Sequence, residues 1–200
     1  MTGDAKLVQI VDAAAADAAR RSGDWLKCRP GCAQCCVGVF AIDQLDAERL
    51  RAGLRDLENS DPARAAAVQL RADRTRRKLS AEFPGDASSG ILYTPPGDAE
   101  NDPFEDFAND EPCPVLDPLT GTCDLYAARP LTCRTYGAPV RDGEAMGVCE
   151  LCFQGASDEE VLAAEINMDW TPLEIELNME AEKRVRQFGK TIVAFAIGPK

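Results

Sequence analysis

No histidine occurs in these 200 residues. That absence removes the commonest metal ligand, the commonest general acid–base group, and any Ser-His-Asp or Cys-His catalytic constellation. Aromatic residues are scarce at 6%, so the 45% hydrophobic content rests largely on Ala, Leu and Val and still allows an ordinary core. Basic residues are outnumbered, 22 against 34 acidic, for a net charge of −12. That balance argues against nonspecific binding to nucleic acid or to an anionic membrane. No apolar run approaches the roughly 18 residues of a membrane span. The start, Met1-Thr2-Gly3-Asp4-Ala5-Lys6-Leu7, has neither a basic n-region nor an apolar h-region. A cytoplasmic location is expected, with thiols kept reduced. A Gly-rich nucleotide loop and a P-loop are also missing, so no catalytic residue is assigned.

What the chain has instead is cysteine. There are nine, an odd number that suits a disulfide scaffold poorly. Four lie within nine residues, in Cys28-Arg29-Pro30-Gly31-Cys32-Ala33-Gln34-Cys35-Cys36. Cys113, Cys123, Cys133, Cys149 and Cys152 follow in loop-like contexts, the last two with C-x2-C spacing. Thiolates are soft ligands, and four of them close a zinc site or hold an iron–sulfur cluster. Clustered thiolates repel one another unless a cation neutralises them, and cysteines used as small core hydrophobes are more often scattered through periodic segments. All nine are therefore candidate metal ligands. Four-thiolate zinc sites usually read as two separated C-x2-4-C knuckles. Iron–sulfur sites often take three ligands from one tight loop and a fourth from far away. The dense first loop leans toward the cluster, probed by no spacing that excludes zinc, and eight thiolates are also enough for two sites.

The rest of the chain reads as helices joined by loops. Leu7, Ile10, Val11, Ala14, Ala15 and Ala18 form one face of a helix over 3–22, stopped by Gly23. Asp43 is placed to cap a helix over 44–58 that carries Leu45, Leu50, Leu54 and Leu57. Asp61-Pro62 starts another, read to about Phe83, with a basic stretch (Arg71, Arg74, Arg76, Arg77, Lys78) expected as a solvated face or a dock for an acidic partner or anionic cofactor. Residues 84–112 are broken by Gly and Pro and are expected as a long loop, a lid or a partner-binding insertion. Cys113-Pro114-Val115-Leu116 and Thr122-Cys123 predict two short arms about a Gly121 turn, bringing Cys113 and Cys123 together. Ser157 with Glu160, and Thr171 with Glu174, are capping-box patterns opening C-terminal helices over 157–188. The apolar tail Thr191 to Ile197 needs a docking surface. The expectation is a mainly α, single helical domain over 1–200. In it, the cysteine-rich loops of region 28–152 and a small hairpin converge on a metal site.

The run C-x3-C-x2-C-C, then Cys113-Pro114-Val115-Leu116, then Cys123-Asp124-Leu125-Tyr126-x2-Arg129-Pro130-x2-Cys133-Arg134, resembles the YkgJ-type cysteine-cluster proteins, also described as a zinc- or iron-chelating CxxCxxCC domain. The first spacing here is three residues rather than two. The resemblance covers about residues 28–152. It implies a cysteine-ligated centre, an iron–sulfur cluster of the 4Fe-4S type or alternatively zinc. Cys149 and Cys152 both match one late family cysteine. The family includes the flagellin lysine N-methylases, which resemble S-adenosylmethionine-dependent enzymes carrying such a cluster, and so implies a protein substrate or partner. Arg129 and Arg134 are candidate cofactor-binding residues, since an Arg beside a cluster donates to sulfur and offsets its charge. Alternatively Arg129 pairs with a carboxylate and Pro130 shapes the turn, while Asp117 and Asp124 are expected to be solvated, the other reading being that they tune the site. Cys28-x3-Cys32-x2-Cys35 also matches the radical S-adenosylmethionine spacing, but the strand–helix alternation of that barrel is not present in the sequence.

Overall fold

The computed structural model describes residues 3–94, 104, 106–142 and 145–198. Among these residues the structure is mainly α, with seven α-helices and three two-stranded antiparallel ladders. None of the described helices is long and apolar enough to cross a membrane. The chain divides into two compact units, residues 1–30 with 131–177 and residues 31–130 with 178–200.

In the first unit, α1 (Gly3–Ser22) buries Leu7, Val11 and Ala18, the stripe set by its apolar period. It packs on α4 (Leu131–Thr135) and α5 (Asp158–Ala164). Ser157 caps α5 with the expected reciprocal box, its hydroxyl accepting from the Glu160 N–H while the Glu160 carboxylate accepts from the Ser157 N–H. β5 (Val140–Asp142) pairs with β6 (Ala145–Gly147). The second capping box does not form as read: α6 (Thr171–Val185) already includes Thr171, whose hydroxyl donates to the Met168 carbonyl instead.

In the second unit, α2 (Gln44–Ser60) and α3 (Pro62–Leu79) pack on each other and on α7 (Val193–Ile197), which is the apolar tail finding its surface. Leu50, Leu54, Val68, Ala72, Val193 and Ile197 form the centre of this core. Asp61 caps α3 through the Arg64 N–H, with Pro62 in the first turn. The helix ends at Leu79, four residues short of Phe83. The Ser80 hydroxyl folds back onto the Arg76 carbonyl, and Phe83 turns away to stack on Phe195 at 4.3 Å and meet Phe107 edge-on at 6.0 Å.

The expected long loop begins as a hairpin, β1 (Gly85–Asp86) with β2 (Ile91–Leu92). Residues 95–103 and 105 of the expected lid lie outside the described residues. Asp86 organises the hairpin turn: the hydroxyls of Ser88 and Ser89 donate to its carboxylate at 2.6 and 2.8 Å, and the Ser88 N–H does so at 2.9 Å. These bonds, those of Ser88 first, favour the charged form and hold its pKa down at about 2. The unfolded value lies near about 3.9. A depressed carboxyl contributes stability above the unfolded value and loses it as pH falls through the folded one. The difference in melting temperature between the protein and Asp86→Asn is therefore expected to be full above about pH 4 and to vanish toward pH 2. A difference that stays constant over that interval removes this role from Asp86.

Candidate metal centre

The second unit carries Cys32, Cys35, Cys36, Cys113 and Cys123. Residues Gln34–Cys36 make one 3-10 turn, closed by the Cys36 N–H on the Ala33 carbonyl at 2.9 Å. The chain then extends, and Val37 bridges antiparallel to Pro112. The Cys113 N–H donates to the Cys36 carbonyl at 2.7 Å, and the Gly38 N–H to the Glu111 carbonyl at 2.9 Å. The first cysteine loop is thus tied by backbone to the segment that opens the hairpin of β3 (Leu116–Asp117) and β4 (Thr122–Cys123). Cys123 stands opposite Leu116, and Gly121 (φ 66°) closes the turn, as the two-arm expectation required.

These thiols are electrostatic neighbours. Burial pushes Cys113 up to about 12, and the charges of Cys123 and Cys35 add to the rise. Burial also raises Cys123, and Cys35 is raised first by its hydrogen bond with Cys36 and then by burial. Each group keeps its proton at neutral pH unless a cation replaces it.

A charged brace stands behind the hairpin. The Asp124 side chain is only 2% exposed, and its carboxylate pairs with Arg64 at 2.5 Å and with Arg71. Arg71 also donates to the Pro114 carbonyl at 2.8 Å. Buried Glu111 accepts from the Thr75 hydroxyl at 2.8 Å and pairs with Lys78. These contacts correct one expectation and refine another. Asp124 is not solvated, and the basic stretch of α3 is solvated only in part: Arg74, Arg77 and Lys78 are exposed, while Arg71 and Lys78 pair with acids flanking the cysteine hairpin. Neither brace was identified from sequence. The available signal was the acid-poor basic face of α3, which calls for carboxylates from elsewhere in the chain.

The first unit carries Cys28, Cys133, Cys149 and Cys152. Cys149 and Cys152 are buried, with the Cys152 N–H on the Cys149 carbonyl at 2.8 Å. The Cys152 sulfur accepts from the Lys27 N–H at 3.3 Å, and the Phe153 N–H donates to the Trp25 carbonyl at 3.1 Å. The chain entering Cys28 therefore runs beside the C-x2-C segment. Gly137 (φ 106°) lets the chain after α4 approach Cys28 closely, since a Cβ there would sit 2.4 Å from the Cys28 sulfur. Cys133 lies within α4, and Cys35 and Cys36 within a 3-10 turn, so the cysteines do not all avoid helical structure. A cavity of about 390 Å³ opens beside Cys149, lined also by Tyr136, Met168, Trp170 and Glu174.

The two arginines part ways. Arg134 is buried, and both Asp12 carboxylate oxygens accept from its Nη1 at 2.9 Å, bracing α4 against α1. Arg129 lies 4.0 Å over the Tyr126 ring, donates to the Tyr126 carbonyl at 2.9 Å, and its charge lowers the Cys123 pKa. Arg129 thus acts on the electrostatics of Cys123 from the face of Tyr126.

The donor set fits a soft metal: none of the nine cysteines is in a disulfide, and several are tied into neighbourhoods by short backbone bonds. Their placement departs from the expected convergence. Among the described residues no three Cys, Asp or Glu side chains stand close enough to hold one ion. The boundary between the two units falls between Pro30 and Gly31, inside the first C-x3-C spacing, so Cys28 belongs to the first unit and Cys32 to the second.

Comparison with known proteins agrees with the donor chemistry. Searches of curated proteins and of solved structures found no match. A family profile, CxxCxxCC, described as a "putative zinc- or iron-chelating domain", matches residues 27–153, a span that holds all nine cysteines. That match takes in well over half of the chain and supports metal binding, and the protein belongs to the CxxCxxCC family.

Proposed function

We propose that the protein holds an iron–sulfur cluster of the 4Fe-4S type on cysteines of its second unit. The supporting observation is the neighbourhood of Cys35, Cys36, Cys113 and Cys123, in which one tight turn and one hairpin are joined by the Cys113-to-Cys36 backbone bond. Cys32 is the fifth thiol available there. A bound cluster supplies one-electron chemistry. The chain's own part is to present thiols, to set Arg129 near Cys123, and to fix the hairpin through Asp124. The resemblance to flagellin lysine N-methylases extends the proposal to support of S-adenosylmethionine-dependent methyl transfer to a protein, or redox chemistry, in the cytoplasm. The cavity beside Cys149 is where S-adenosylmethionine binding would be sought, as a rise in thermal stability on its addition.

A second reading is a non-catalytic zinc protein that binds a partner. The Cys149-x2-Cys152 segment favours it, because its buried thiols and N–H to sulfur bond have the character of a structural knuckle.

Iron, zinc and acid-labile sulfide per chain, on protein purified without oxygen, separate the two. Iron with equal sulfide is the expected result. Zinc without sulfide transfers the assignment to the structural reading, and neither metal after anaerobic reconstitution would end both.

A further inference from the structure

The second unit holds a cavity of about 160 Å³, lined by no cysteine, between α2, α3, the β1–β2 turn and α7. Its polar lining includes Gln44, Arg51, Arg76, Ser88 and Ser89. Two buried side-chain atoms among the described residues have no hydrogen-bond partner, the Arg76 Nε and the Gln44 Oε1, and both belong to residues that line this one cavity. Neither Arg51 nor Arg76 forms an ion pair among the described residues, although Arg64, Arg71, Arg77 and Lys78 all do. Arg51 spends its Nε on the Ala196 carbonyl at 2.8 Å, leaving its outer nitrogens. Burial holds its pKa below the ordinary guanidinium value, with Glu48 the carboxylate that opposes the shift, and Glu48 is itself paired with Arg184 at 2.7 Å. In a chain of net charge −12, neither cation forms a direct ion pair among the described residues, although Glu48 acts on Arg51 and Arg76 on Asp73 through space.

We propose that this cavity is a binding site for a protonated oxyanion, inorganic phosphate in its hydrogen-phosphate form. The guanidinium forks of Arg51 and Arg76 match the oxygens of a tetrahedral anion. The orphan on the other wall chooses among anions. Gln44 is fully buried, and its Nε2 donates to the Gly189 carbonyl at 2.8 Å, which fixes the amide with Oε1 as the remaining acceptor. That oxygen needs a donor. Hydrogen phosphate carries one P–OH for it, while sulfate at neutral pH carries none. The Ser88 and Ser89 hydroxyls are committed to Asp86, so selectivity rests on Gln44 and affinity on the arginines. The volume seats one small oxyanion with a few waters at roughly 10–15 Å³ each, and is too small for a nucleotide.

The test is calorimetric titration of the purified metal-loaded protein, in phosphate-free buffer at fixed ionic strength, with phosphate, sulfate and glycerol phosphate. Saturable binding of one phosphate per chain is expected, with sulfate about tenfold or more weaker. Glycerol phosphate above neutral pH is a dianion without a P–OH and is expected to bind as weakly as sulfate; binding equal to that of phosphate would overturn the role of Gln44. Arg76→Gln and Arg51→Gln, each checked for unchanged circular dichroism and metal content, should weaken phosphate binding about tenfold. Gln44→Met should bring phosphate down to the level of sulfate. If Gln44→Met fails to fold, the ester comparison serves instead, because glycerol phosphate at about pH 8 keeps the tetrahedral dianion but has no P–OH to donate to Gln44. No saturable binding overturns the proposal, as do equal affinities for sulfate and phosphate, or phosphate binding untouched by both Arg variants.

Discussion

Replacing Cys113 by Ser is expected to remove most of the metal from the second unit and to lower the melting temperature of the loaded protein by about 10 °C or more. The magnitude follows from linkage. Metal bound only by the folded chain contributes its binding free energy to stability, and structural sites contribute on the order of 10 kcal/mol in small domains. In a chain of this length about 1 kcal/mol shifts the midpoint by roughly 2–4 °C, so losing a third to a half of that term gives the stated shift. Cys113 is the most informative choice because it feels the charges of Cys123 and Cys35 and is bonded through its backbone to Cys36. In metal-free protein the same substitution exchanges a buried thiol for a hydroxyl and should cost only about 1–2 kcal/mol. The contrast between the loaded and metal-free forms is therefore the measurement. Equal losses in both would show that Cys113 is a packing residue, and full metal content in Cys113→Ser would remove it from the centre. Cys35→Ser should behave as Cys113→Ser does.

How much of this was readable beforehand depends on the range of the interactions involved. α1, the Asp61-Pro62 start of α3 and the Ser157–Glu160 box are local, and each sits where spacing and capping chemistry put it. The Cys113–Cys123 hairpin is nearly local, since Gly121 and two short arms are enough to make it. The end of α3 was misplaced because Phe83 continues a helical period but is better buried against Phe195, more than a hundred residues away. The β1–β2 hairpin was hidden for a similar reason, since the Leu92 N–H bonds the Lys190 carbonyl, a partner that no window along the chain contains. The division of the cysteines is the least local feature. Cys28 and Cys32 are four positions apart, yet the first packs with the Gly137 segment and the second belongs with the hairpin unit. The motif reveals the donor chemistry, and only long-range packing decides which donors share a neighbourhood.

Asp124→Ala is expected to destabilise the protein by about 2–3 kcal/mol, the second-largest effect among these predictions. Removing one partner of a buried ion pair typically costs about 3–5 kcal/mol because the other charge is left uncompensated. Here the discount comes from the cations: Arg64 is 44% exposed and Arg71 24%, so water recovers part of their solvation. Arg71 also keeps its bond to the Pro114 carbonyl. What is lost is specific to the hairpin. Asp124 follows Cys123 directly, and its backbone N–H bonds the Val115 carbonyl at 2.7 Å, so its carboxylate anchors the cysteine arms to α3. Asp124→Ala should accordingly weaken metal retention in a chelator challenge as well as lower the denaturation midpoint. Asp124→Asn, which keeps hydrogen-bond acceptors but not the charge, should fall between the two. If Asp124→Ala loses stability yet holds its metal as firmly as the unaltered protein, the brace serves the fold alone and the centre is positioned by the backbone bonds of Cys36 and Cys113.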